Sequence, residues 1–270
     1  MRDSRKGPPH DRDPVLFTVD GGIARITLNR PDRLNAVTGE LMRALGAAVE
    51  EAAAREDVRV ISLTGAGRGF CAGQDLSERD PRKLDGPLDL AAIQRELFHP
   101  VIRTLRETPK PVVACVNGVA AGAGAGFALA ADIVLADAEA KFVFSFAKMG
   151  LSVDAGLGRA LVAGLGAPRA RALLMLGGAL TGAEAEAAGL IWRAVPAGEL
   201  GSAHEDVLIR LACAPRAALS GIKAAVAAAE VEPLAEYLAT EAALQGRAGA
   251  APDYAEGVLA FLEKRKPRFG

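Results

Sequence analysis

The chain has 270 residues, of which 50% are hydrophobic and 24% are charged, and its formal net charge is −1. A chain of this length and composition can bury one large core. Nothing in this nearly balanced charge argues for nucleic acid, an anionic membrane or a strongly acidic substrate, so we expect neither nucleic acid nor a membrane as a partner. A small organic ligand fits this composition better.

Cysteine usage and the apolar runs indicate the compartment. The three cysteines, Cys71, Cys115 and Cys213, have no CxxC spacing, and no apolar signal-peptide run is present. We therefore expect a reduced, cytoplasmic protein with neither a disulfide framework nor a metal site. The longest apolar runs, residues 112–116 and 120–131, are shorter than the roughly 20 residues that span a bilayer. No transmembrane helix is predicted.

The N-terminal segment divides into a tail and a hairpin. Residues 1–14 are charged and rich in proline, with too few aliphatic side chains to offset the entropy of ordering, and are predicted to be disordered. Residues 15–19 and 23–28 flank a Gly21-Gly22 turn and predict a β-hairpin. The core is predicted to begin there.

Strands and helices alternate in the middle of the chain. Apolar residues recur at helical spacing after Thr38, a candidate N-cap, and predict a helix that leads to a strand over residues 58–63. A second helix is predicted over residues 88–105, followed by buried strands over residues 112–116 and 133–136. This alternation predicts right-handed crossovers and a mostly parallel sheet.

The last part of the chain reads as helical and rich in alanine. The pattern runs from about Gly158 to Lys266 and is interrupted by one short apolar segment, residues 190–195. We expect these helices to pack on the core or on a neighbouring subunit. The sequence shows no Ser/Gly linker and no clear repeat.

The first glycine-rich segment follows the strand predicted over residues 58–63. Residues 69–76 read Gly-Phe-Cys-Ala-Gly-Gln-Asp-Leu. A glycine-rich turn at the end of such a strand directs free backbone N–H groups into the crevice where α/β proteins bind ligands. A tight turn with Asp75 capping the next helix explains the pattern equally well. Cys71 has no neighbouring Cys or His, which favours a buried, inert thiol over a metal ligand or nucleophile.

The second glycine-rich segment, residues 117–126, follows the strand predicted over residues 112–116. Its Gly-x-Gly-x-Gly pattern is similar to a dinucleotide fingerprint, which requires an acidic residue about 20 positions further on. Lys141, Phe142 and Val143 stand there instead, so NAD binding ranks low. Two uses remain open: a backbone N–H that faces an oxyanion at a helix N-terminus, or close Gly/Ala helix packing.

A single carboxylate, Asp154, stands among apolar and small residues in the segment 149–156. In a dry pocket such a group has a raised pKa and can exchange protons with a carbon acid near neutral pH. Taken in isolation, the segment favours instead a role for Asp154 as the N-cap of a helix that starts near Gly156. A histidine triad is not expected, because the histidines are scattered: His10, His99 and His204.

Taken in order, these segments are similar to the enoyl-CoA hydratase/isomerase (crotonase) superfamily. The likeness covers Val15 to Phe269 and rests on ordered motifs: Asn29-Arg30-Pro31, Leu34-Asn35-Ala36, residues 70–76, Lys110-Pro111-Val112, residues 117–122 and residues 261–267. The resemblance implies an α/β fold, a ClpP-like spiral of repeated ββα units with a helical C-terminal region. It implies a tail at 1–14, a core at 15–200 and a trimerisation region at 201–270, assembled as a homotrimer or hexamer.

The resemblance also implies a site. The backbone N–H groups of Gln74 and Ala123 would form an oxyanion hole for the thioester oxygen of an acyl-CoA, and Asp154 falls where several isomerases, and a dehalogenase, have a catalytic aspartate. The residues implied to contact coenzyme A are Arg33, Leu34, Ala36, Ala72, Asp75 and Leu76, with Phe261 and Lys264 reaching a coenzyme A on a neighbouring subunit. No cofactor is implied beyond the coenzyme A moiety of the substrate.

Departures from the family pattern narrow the expected activity. Hydratases of the family have two water-activating glutamates, and Gly126 and Phe146 stand at those positions. After Asp154 the family usually has Gly-Gly-Thr, and this chain has Ala155-Gly156-Leu157. The chain resembles most closely the phenylacetate-pathway isomerases.

We therefore expect an acyl-CoA isomerase acting on 1,2-epoxyphenylacetyl-CoA, on a Δ3-enoyl-CoA by Δ3-Δ2 isomerisation, or on both. The alternatives are an enoyl-CoA hydratase, a dehalogenase or thioesterase with a nucleophilic Asp154, and a non-catalytic protein that binds CoA esters.

Overall fold

The structure is a computed structural model that describes residues 13–270. Within that range the strands are β1 (Val15–Asp20), β2 (Ile23–Leu28), β3 (Val60–Gly65), β4 (Gly69–Cys71), β5 (Val112–Val116), β6 (Val119–Ala121), β7 (Ile133–Asp137), β8 (Lys141–Val143), β9 (Ala179–Thr181) and β10 (Arg193–Val195). Of the predicted tail, only Asp13 and Pro14 fall inside the described residues.

The helices alternate with these strands and then dominate the C-terminal part. They are α1 (Gly39–Ala54), α2 (Leu90–Ile93), α3 (His99–Glu107), α4 (Ala123–Leu129), α5 (Leu157–Leu165), α6 (Ala167–Leu176), α7 (Gly182–Ala187), α8 (Ala197–Ala212), α9 (Arg216–Ala229), α10 (Leu234–Ala250) and α11 (Pro252–Leu262). Short 3-10 turns add Pro31–Arg33, Leu76–Arg79, Pro81–Lys83 and Ala147–Met149.

Two sheets form the core. The larger has six strands in the order β1-β2-β3-β5-β7-β10, and every neighbouring pair except the β1–β2 hairpin is parallel. The smaller has the order β4-β6-β8-β9, parallel except for β8–β9. The predicted hairpin and mostly parallel sheet are therefore confirmed.

The two sheets are connected by a repeated path. Strands β3, β5 and β7 of the larger sheet each continue into a short strand of the smaller sheet, β4, β6 and β8 respectively, and then into helical structure. Three successive ββα units thus wind as a spiral. The repeated ββα spiral implied by the family resemblance is therefore confirmed, although the sequence shows no clear repeat, because the units repeat their strand pairing and not their side chains.

The predicted core elements are buried as their patterns indicate. All five residues of β5 are buried, as expected of a central parallel strand covered on both faces. Thr38 caps α1 by accepting a hydrogen bond from the Leu41 amide at 3.1 Å, and Leu41, Leu45 and Val49 bury one face of that helix.

The second predicted helix, residues 88–105, is less regular than its pattern suggests. It consists of α2, a π-helical turn over Gln94–Phe98, and α3. Phe98, at the end of the π turn, is buried and stacks on Phe127 of α4 with ring centroids 5.9 Å apart. The π turn was not predicted, because apolar spacing does not distinguish it from an α-helix.

The short strands and some boundaries also differ from prediction. The strand predicted over residues 58–63 is formed over Val60–Gly65, where the chain pairs with β2 and β5. Strand β9 lies inside the region predicted to be helical. The strands of the smaller sheet have three residues each, which is too short to show an alternating pattern.

Helix α8 covers the larger sheet on the face opposite the main core. Leu200, Val207 and Leu208 of this helix pack with Val60 and Val113 of the sheet in a second apolar cluster. Among the described residues no single helix is long and apolar enough to span a membrane, and α8 and α9 reach that length and composition only as a pair bent by 109°.

Candidate active site

The structure brings the two glycine-rich segments side by side. Strand β4 pairs with β6, with Gly69 opposite Val119 and Cys71 opposite Ala120. Gln74 follows β4, and Ala123 is the first residue of α4, just after β6. A Cβ built on Gly73 would lie 2.7 Å from the Ala121 carbonyl oxygen, so the two backbones are in direct contact.

The backbone amides of Gln74 and Ala123 lie outside the hydrogen bonds of the neighbouring strands and helix. Neither N–H has a hydrogen-bond acceptor within the part of the chain that the structure describes. Ala123 lies in the first turn of a helix, where N–H groups have no intrahelical partner. Two such donors near one another are the arrangement that stabilises a negatively charged oxygen.

Close approach of backbone explains the glycines of this site. Gly73 has φ +82°, a conformation that other residues rarely adopt. A Cβ on Gly124 would collide with the Cys71 carbonyl oxygen and lie 2.9 Å from Cys71 Sγ, so glycine lets α4 rest on β4. Cys71 is fully buried, and burial raises the pKa of its thiol to about 12. The prediction that this thiol is buried is confirmed.

Two asparagines of the family motifs hold the loops in place, a role that was not assigned from the sequence. Asn35 Nδ2 donates to the carbonyl oxygens of Gly69, at 2.8 Å, and Ala66, at 3.0 Å. Asn117 Nδ2 donates to the carbonyl oxygens of Gly65 and Gly67, both at 2.8 Å. Side-chain amides thus replace the strand pairing that is lost where β3 turns into β4.

The predicted coenzyme A residues come from two segments that pair with each other. The Ala72 amide donates to Leu34 O at 2.9 Å, and the Asp75 amide donates to Val37 O at 2.8 Å. Ala36 lies between Leu34 and Val37 and is half-buried. The structure therefore brings Leu34, Ala36, Ala72 and Asp75 together beside Gln74.

An ion pair joins the same two segments. Arg30 donates to the Ala36 carbonyl oxygen and, at 2.9 Å, to Asp75 Oδ2. Asp75 also accepts from the Ser77 amide at 3.1 Å and caps the 3-10 turn, as predicted. Hydrogen bonds from Ser77, followed by that of Arg30, lower the pKa of Asp75. Arg33 and Leu76 are exposed, and Leu76 directly follows Asp75, whose side chain is held by Arg30 and Ser77.

The two C-terminal residues predicted to reach coenzyme A lie elsewhere on the chain. Phe261 is near the end of α11, which packs against α10, and it is 82% exposed. Lys264 is also exposed and follows α11 with φ +53°. No hydrogen bond among the described residues connects them to Gln74 or Ala123, and their contact with a neighbour's coenzyme A stays a prediction.

Asp154 lies half-buried in the loop before α5. Gln94 Nε2 donates to its Oδ2 at 3.1 Å, while its Oδ1 is buried without a partner among the described residues. Burial raises the pKa of Asp154 to about 6, and the Gln94 hydrogen bond and the charge of Arg79 oppose this rise. The alternative role as N-cap is wrong, because Gly156 is the N-cap of α5 and no side chain caps it.

Two contacts connect Asp154 to the amide pair. A Cβ on Gly126 would lie 2.6 Å from the Cβ of Ala155, so the Asp154 loop rests on the helix that Ala123 begins. On the other side, Arg79 donates to Gln74 Oε1 at 3.0 Å and its charge acts on Asp154. Gln94 and Arg79 were not identified from the sequence. A glutamine on an otherwise apolar helix face was the available signal for the former, and Arg79 had none.

The two positions where the family resemblance places the hydratase glutamates hold Gly126 and Phe146, and neither supplies a carboxylate. Any side chain at Gly126 meets Ala155, as described above. Phe146 is 8% exposed, and its ring lies 3.7 Å from the place a Cβ on Gly122 would occupy. The carboxylate that the structure places at this site is Asp154.

A cavity of about 410 Å³ adjoins Gly126 and Ala155 without containing Gln74, Ala123 or Asp154. Its lining includes Arg106, Arg159 and Glu230, which form ion pairs of 3.3 and 2.9 Å. Within residues 13–270 no group of His, Cys, Asp and Glu side chains is arranged to hold a metal ion.

Known proteins share this fold and are similar to this chain in sequence. The crystal structure of an enoyl-CoA hydratase from Polaromonas sp. JS666 superposes with a TM-score of 0.88 at 33% identity, covering 95% of this chain and 99% of that one. The fold is thus the crotonase fold, as predicted. A family profile described as enoyl-CoA hydratase/isomerase matches residues 18–270. The chain belongs to the enoyl-CoA hydratase/isomerase family.

Two relatives of similar identity have names that differ in activity. The 1,2-epoxyphenylacetyl-CoA isomerase of Escherichia coli (strain K12) is 41% identical over 255 residues, 94% of this chain and 97% of that protein. A Rhodobacter capsulatus protein named "Probable enoyl-CoA hydratase" is 40% identical over 255 residues, with the same coverage. Sequence identity alone therefore does not distinguish an isomerase from a hydratase.

Proposed function

We propose that this chain isomerises an acyl-CoA through its thioester enolate. The substrate class is 1,2-epoxyphenylacetyl-CoA, a Δ3-enoyl-CoA, or both. The amides of Gln74 and Ala123 bind the thioester oxygen, and Asp154 moves the proton. Arg33, Leu34, Ala36, Ala72, Asp75 and Leu76 hold the coenzyme A moiety.

The observation that carries this proposal is the contact between Gly126 and Ala155. Hydration by the family's usual pair of carboxylates requires a side chain at position 126, and a Cβ there would lie 2.6 Å from another Cβ. A single carboxylate is sufficient for a proton shuttle. The pKa of Asp154, raised to about 6, suits both removal and return of a proton near neutral pH.

For a 3-enoyl-CoA the reaction is a proton transfer within one molecule. The Asp154 carboxylate takes a proton from C2, and the electrons of that C–H bond move into the thioester, which becomes a dienolate held by the two amides. The protonated Asp154 then returns the proton to C4, and the double bond shifts to the conjugated position. The amides act most strongly on the enolate, which is the condition for rate acceleration.

For 1,2-epoxyphenylacetyl-CoA the same groups serve a ring expansion. The ring C–C bond shared with the epoxide breaks to give a seven-membered oxygen ring, and the proton moves from the carbon next to the thioester to a ring carbon. Atoms and electrons are conserved in both reactions. We therefore propose no cofactor beyond the coenzyme A moiety of the substrate.

We also propose that the chain assembles as a trimer or hexamer. Apolar side chains are exposed along α9, α10 and α11, namely Ile222, Val226, Leu234, Leu238, Tyr254, Leu259, Phe261 and Leu262. Exposed apolar surface of this extent is typical of subunit contacts. Such packing would bring Phe261 and Lys264 to a coenzyme A on the neighbouring subunit.

The test compares wild type, Asp154→Asn and the control Asp20→Asn, an exposed carboxylate in the β1–β2 hairpin. Each is incubated with the ring epoxide of phenylacetyl-CoA, 3-hexenoyl-CoA and crotonyl-CoA, and products are followed by mass spectrometry and ultraviolet absorbance. We expect wild type and Asp20→Asn to isomerise at least one of the first two. Asp154→Asn should lose at least about 10²-fold in rate, in the range of general acid–base catalysis, while binding CoA esters.

Three results would overturn the proposal. Rapid hydration of crotonyl-CoA by wild type would show that water is activated without the two glutamates. A covalent adduct on Asp154 in trapped enzyme would show that it is a nucleophile. Binding of CoA esters with no turnover of any substrate would indicate a non-catalytic protein.

A further inference from the structure

The residue that contacts Asp154 sits at an irregular point of its helix. Gln94 is the first residue of the π turn Gln94–Phe98, and its carbonyl oxygen accepts the His99 amide five residues on. π turns are rare and occur frequently at functional sites. Here the π turn begins at the residue that contacts Asp154, which suggests that the turn positions Gln94 for this contact.

The contact leaves one oxygen of each partner unsatisfied. Gln94 Nε2 donates to Asp154 Oδ2 at 3.1 Å. Gln94 Oε1 and Asp154 Oδ1 are both buried, and neither has a hydrogen-bond partner in the described part of the chain. Buried polar atoms are nearly always paired in folded proteins, so two unpaired oxygens on two side chains that contact each other indicate a place that functions with a ligand or a proton.

We propose that Gln94 is the positioning residue of Asp154 and determines which carboxylate oxygen exchanges the substrate proton. The inference rests on the proposed function. The Gln94 N–H occupies Oδ2, so Oδ1 is the oxygen that takes the proton and returns it. Because the carboxyl group is held by a hydrogen bond, it does not rotate between the two transfers, and the proton is returned from a fixed place.

A neutral hydrogen-bond donor to Asp154 suits reversible proton transfer better than a charged donor. Burial raises the pKa of Asp154, and the Gln94 hydrogen bond lowers it again. The positive charge of Arg79, from the turn Leu76–Arg79, lowers it as well. An ammonium or guanidinium in place of Gln94 would favour the ionised form much more strongly. The amide leaves Asp154 able to both lose and accept a proton near neutral pH.

The experiment uses Gln94→Leu, which removes the donor, and Gln94→Asn, which keeps an amide but is one methylene too short to reach Asp154. Glu96→Gln is the matched control, because Glu96 is an exposed residue of the same π turn. Two quantities are measured for each variant: the pH dependence of kcat and KM, and the pKa of the Asp154 carboxyl group by ¹³C NMR titration, assigned with Asp154→Asn.

Both Gln94 variants should raise the pKa of Asp154 by about one pH unit or more, because a charge-assisted hydrogen bond to the ionised form is lost. The acid limb of the kcat profile should move up with it. A shift of the pKa from about 6 to about 7 roughly halves the ionised fraction of Asp154 at pH 7, so kcat at that pH should fall about twofold from ionisation and further from the loss of positioning, with KM little changed. Glu96→Gln should match wild type in both measurements.

An unchanged Asp154 pKa and pH profile in either variant would overturn the inference and leave Gln94 a packing residue. The NMR titration does not depend on turnover, which separates this inference from the proposed function. If wild type converts no substrate, the proposed function fails, and the titration alone decides whether Gln94 controls Asp154. If Gln94→Leu does not fold, Gln94→Asn provides the same comparison.

Discussion

Gly126 and Ala155 meet at a distance that leaves no room for a side chain at position 126. A Cβ on Gly126 would lie 2.6 Å from the Cβ of Ala155 and 2.8 Å from its carbonyl oxygen. Ala155 itself has φ +48°, a left-handed conformation that favours glycine. The family usually has glycine at this position, so the alanine methyl group both strains the loop and closes the space next to Asp154.

This contact predicts a rescue between two substitutions. Gly126→Ala should destabilise the protein by about 1 to 3 kcal/mol through overpacking. Adding Ala155→Gly should recover part of that loss, because it removes one of the two colliding methyl groups and suits a positive φ. Urea unfolding of the two single variants and the double variant gives the coupling energy.

The helical glycine Gly201 in α8 is the control, since a Cβ there would meet nothing within 4 Å. Gly201→Ala should be neutral or stabilising by up to about 1 kcal/mol. Strict additivity in the double variant would contradict the contact.

The proposed oxyanion hole should be more sensitive to backbone than to side-chain changes at its edge. Gly73→Ala forces a Cβ against the Ala121 carbonyl oxygen, 2.7 Å away, and should displace the Gln74 amide. We expect kcat to fall by about 10² to 10³, the typical cost of losing one oxyanion donor. Gln74→Ala removes only a side chain that binds Val37 O and Arg79, so it should have a smaller effect.

The control for backbone strain is Gly21→Ala. Gly21 has φ +56° but a Cβ there would meet nothing within 4 Å. This variant should lose stability without losing kcat, measured with the isomerisation assay and thermal unfolding. Equal loss of activity in Gly73→Ala and Gln74→Ala would contradict the assignment of the Gln74 amide.

Asp154 should reduce stability at neutral pH. Burial raises its pKa in the folded chain to about 6, above the ordinary aspartate value of 3.8. The folded state therefore binds more protons between those values, and stability falls as pH rises from about 4 to 6. At pH 8 Asp154→Asn should be more stable than wild type by about 1 to 2 kcal/mol, allowing for partial exposure.

The difference in stability between wild type and Asp154→Asn should disappear near pH 4, where the Asp154 carboxyl group is protonated in the folded state. Urea unfolding at pH 4 and pH 8, at equal protein concentration, measures both ends of this window. Asp20→Asn, an exposed carboxylate, should show no such dependence. A wild type that is more stable than Asp154→Asn at pH 8 would mean that Asp154 is held by favourable charges rather than by burial.

The Arg30–Asp75 pair should matter for binding more than for chemistry. Arg30 contacts both predicted coenzyme A segments, through Ala36 O and Asp75 Oδ2. Arg30→Lys keeps the charge but loses the planar fork that reaches both acceptors. We expect the Kd for a CoA ester to rise about tenfold, equivalent to about 1.4 kcal/mol, with kcat nearly unchanged. Isothermal titration with the product and initial-rate kinetics test this.

Arg55→Lys provides the control, because Arg55 forms an exposed pair with Asp57 at 2.7 Å. It should leave both Kd and kcat unchanged. A fall in kcat without a change in Kd for Arg30→Lys would place this pair in the chemistry instead.

The long elements of the fold could be read from the sequence because their patterns are local. Thr38 predicted the start of α1, and the Gly21-Gly22 turn predicted the hairpin. The continuous apolar run of β5 predicted a buried parallel strand. The smaller sheet could not be read in this way, since each of its strands has three residues. Its strands exist because neighbouring turns of the spiral supply their partners.

The site was predictable in part for the same reason. Glycines at positions that need close backbone approach, such as Gly73 and Gly124, form a pattern that can be recognised in the sequence. Arg79 had no such signal, and the glutamine on an apolar helix face at position 94 did not reveal its partner, because Asp154 is 60 residues from Gln94 in the chain. Contacts over such separations follow from the completed fold and not from any window of sequence.

The pairing of β4 with β6 has a consequence for how this fold can change its chemistry. The proposed donors of the oxyanion hole belong to the peptide backbone at the ends of two adjacent strands, and their spacing is set by the strand ladder. Substitutions that leave the ladder intact leave the donors where they are. Positions 126, 146 and 154 lie outside these two strands, so substitutions there, with Ala155→Gly to make room at position 126, can change the reaction while the same backbone donors hold the thioester.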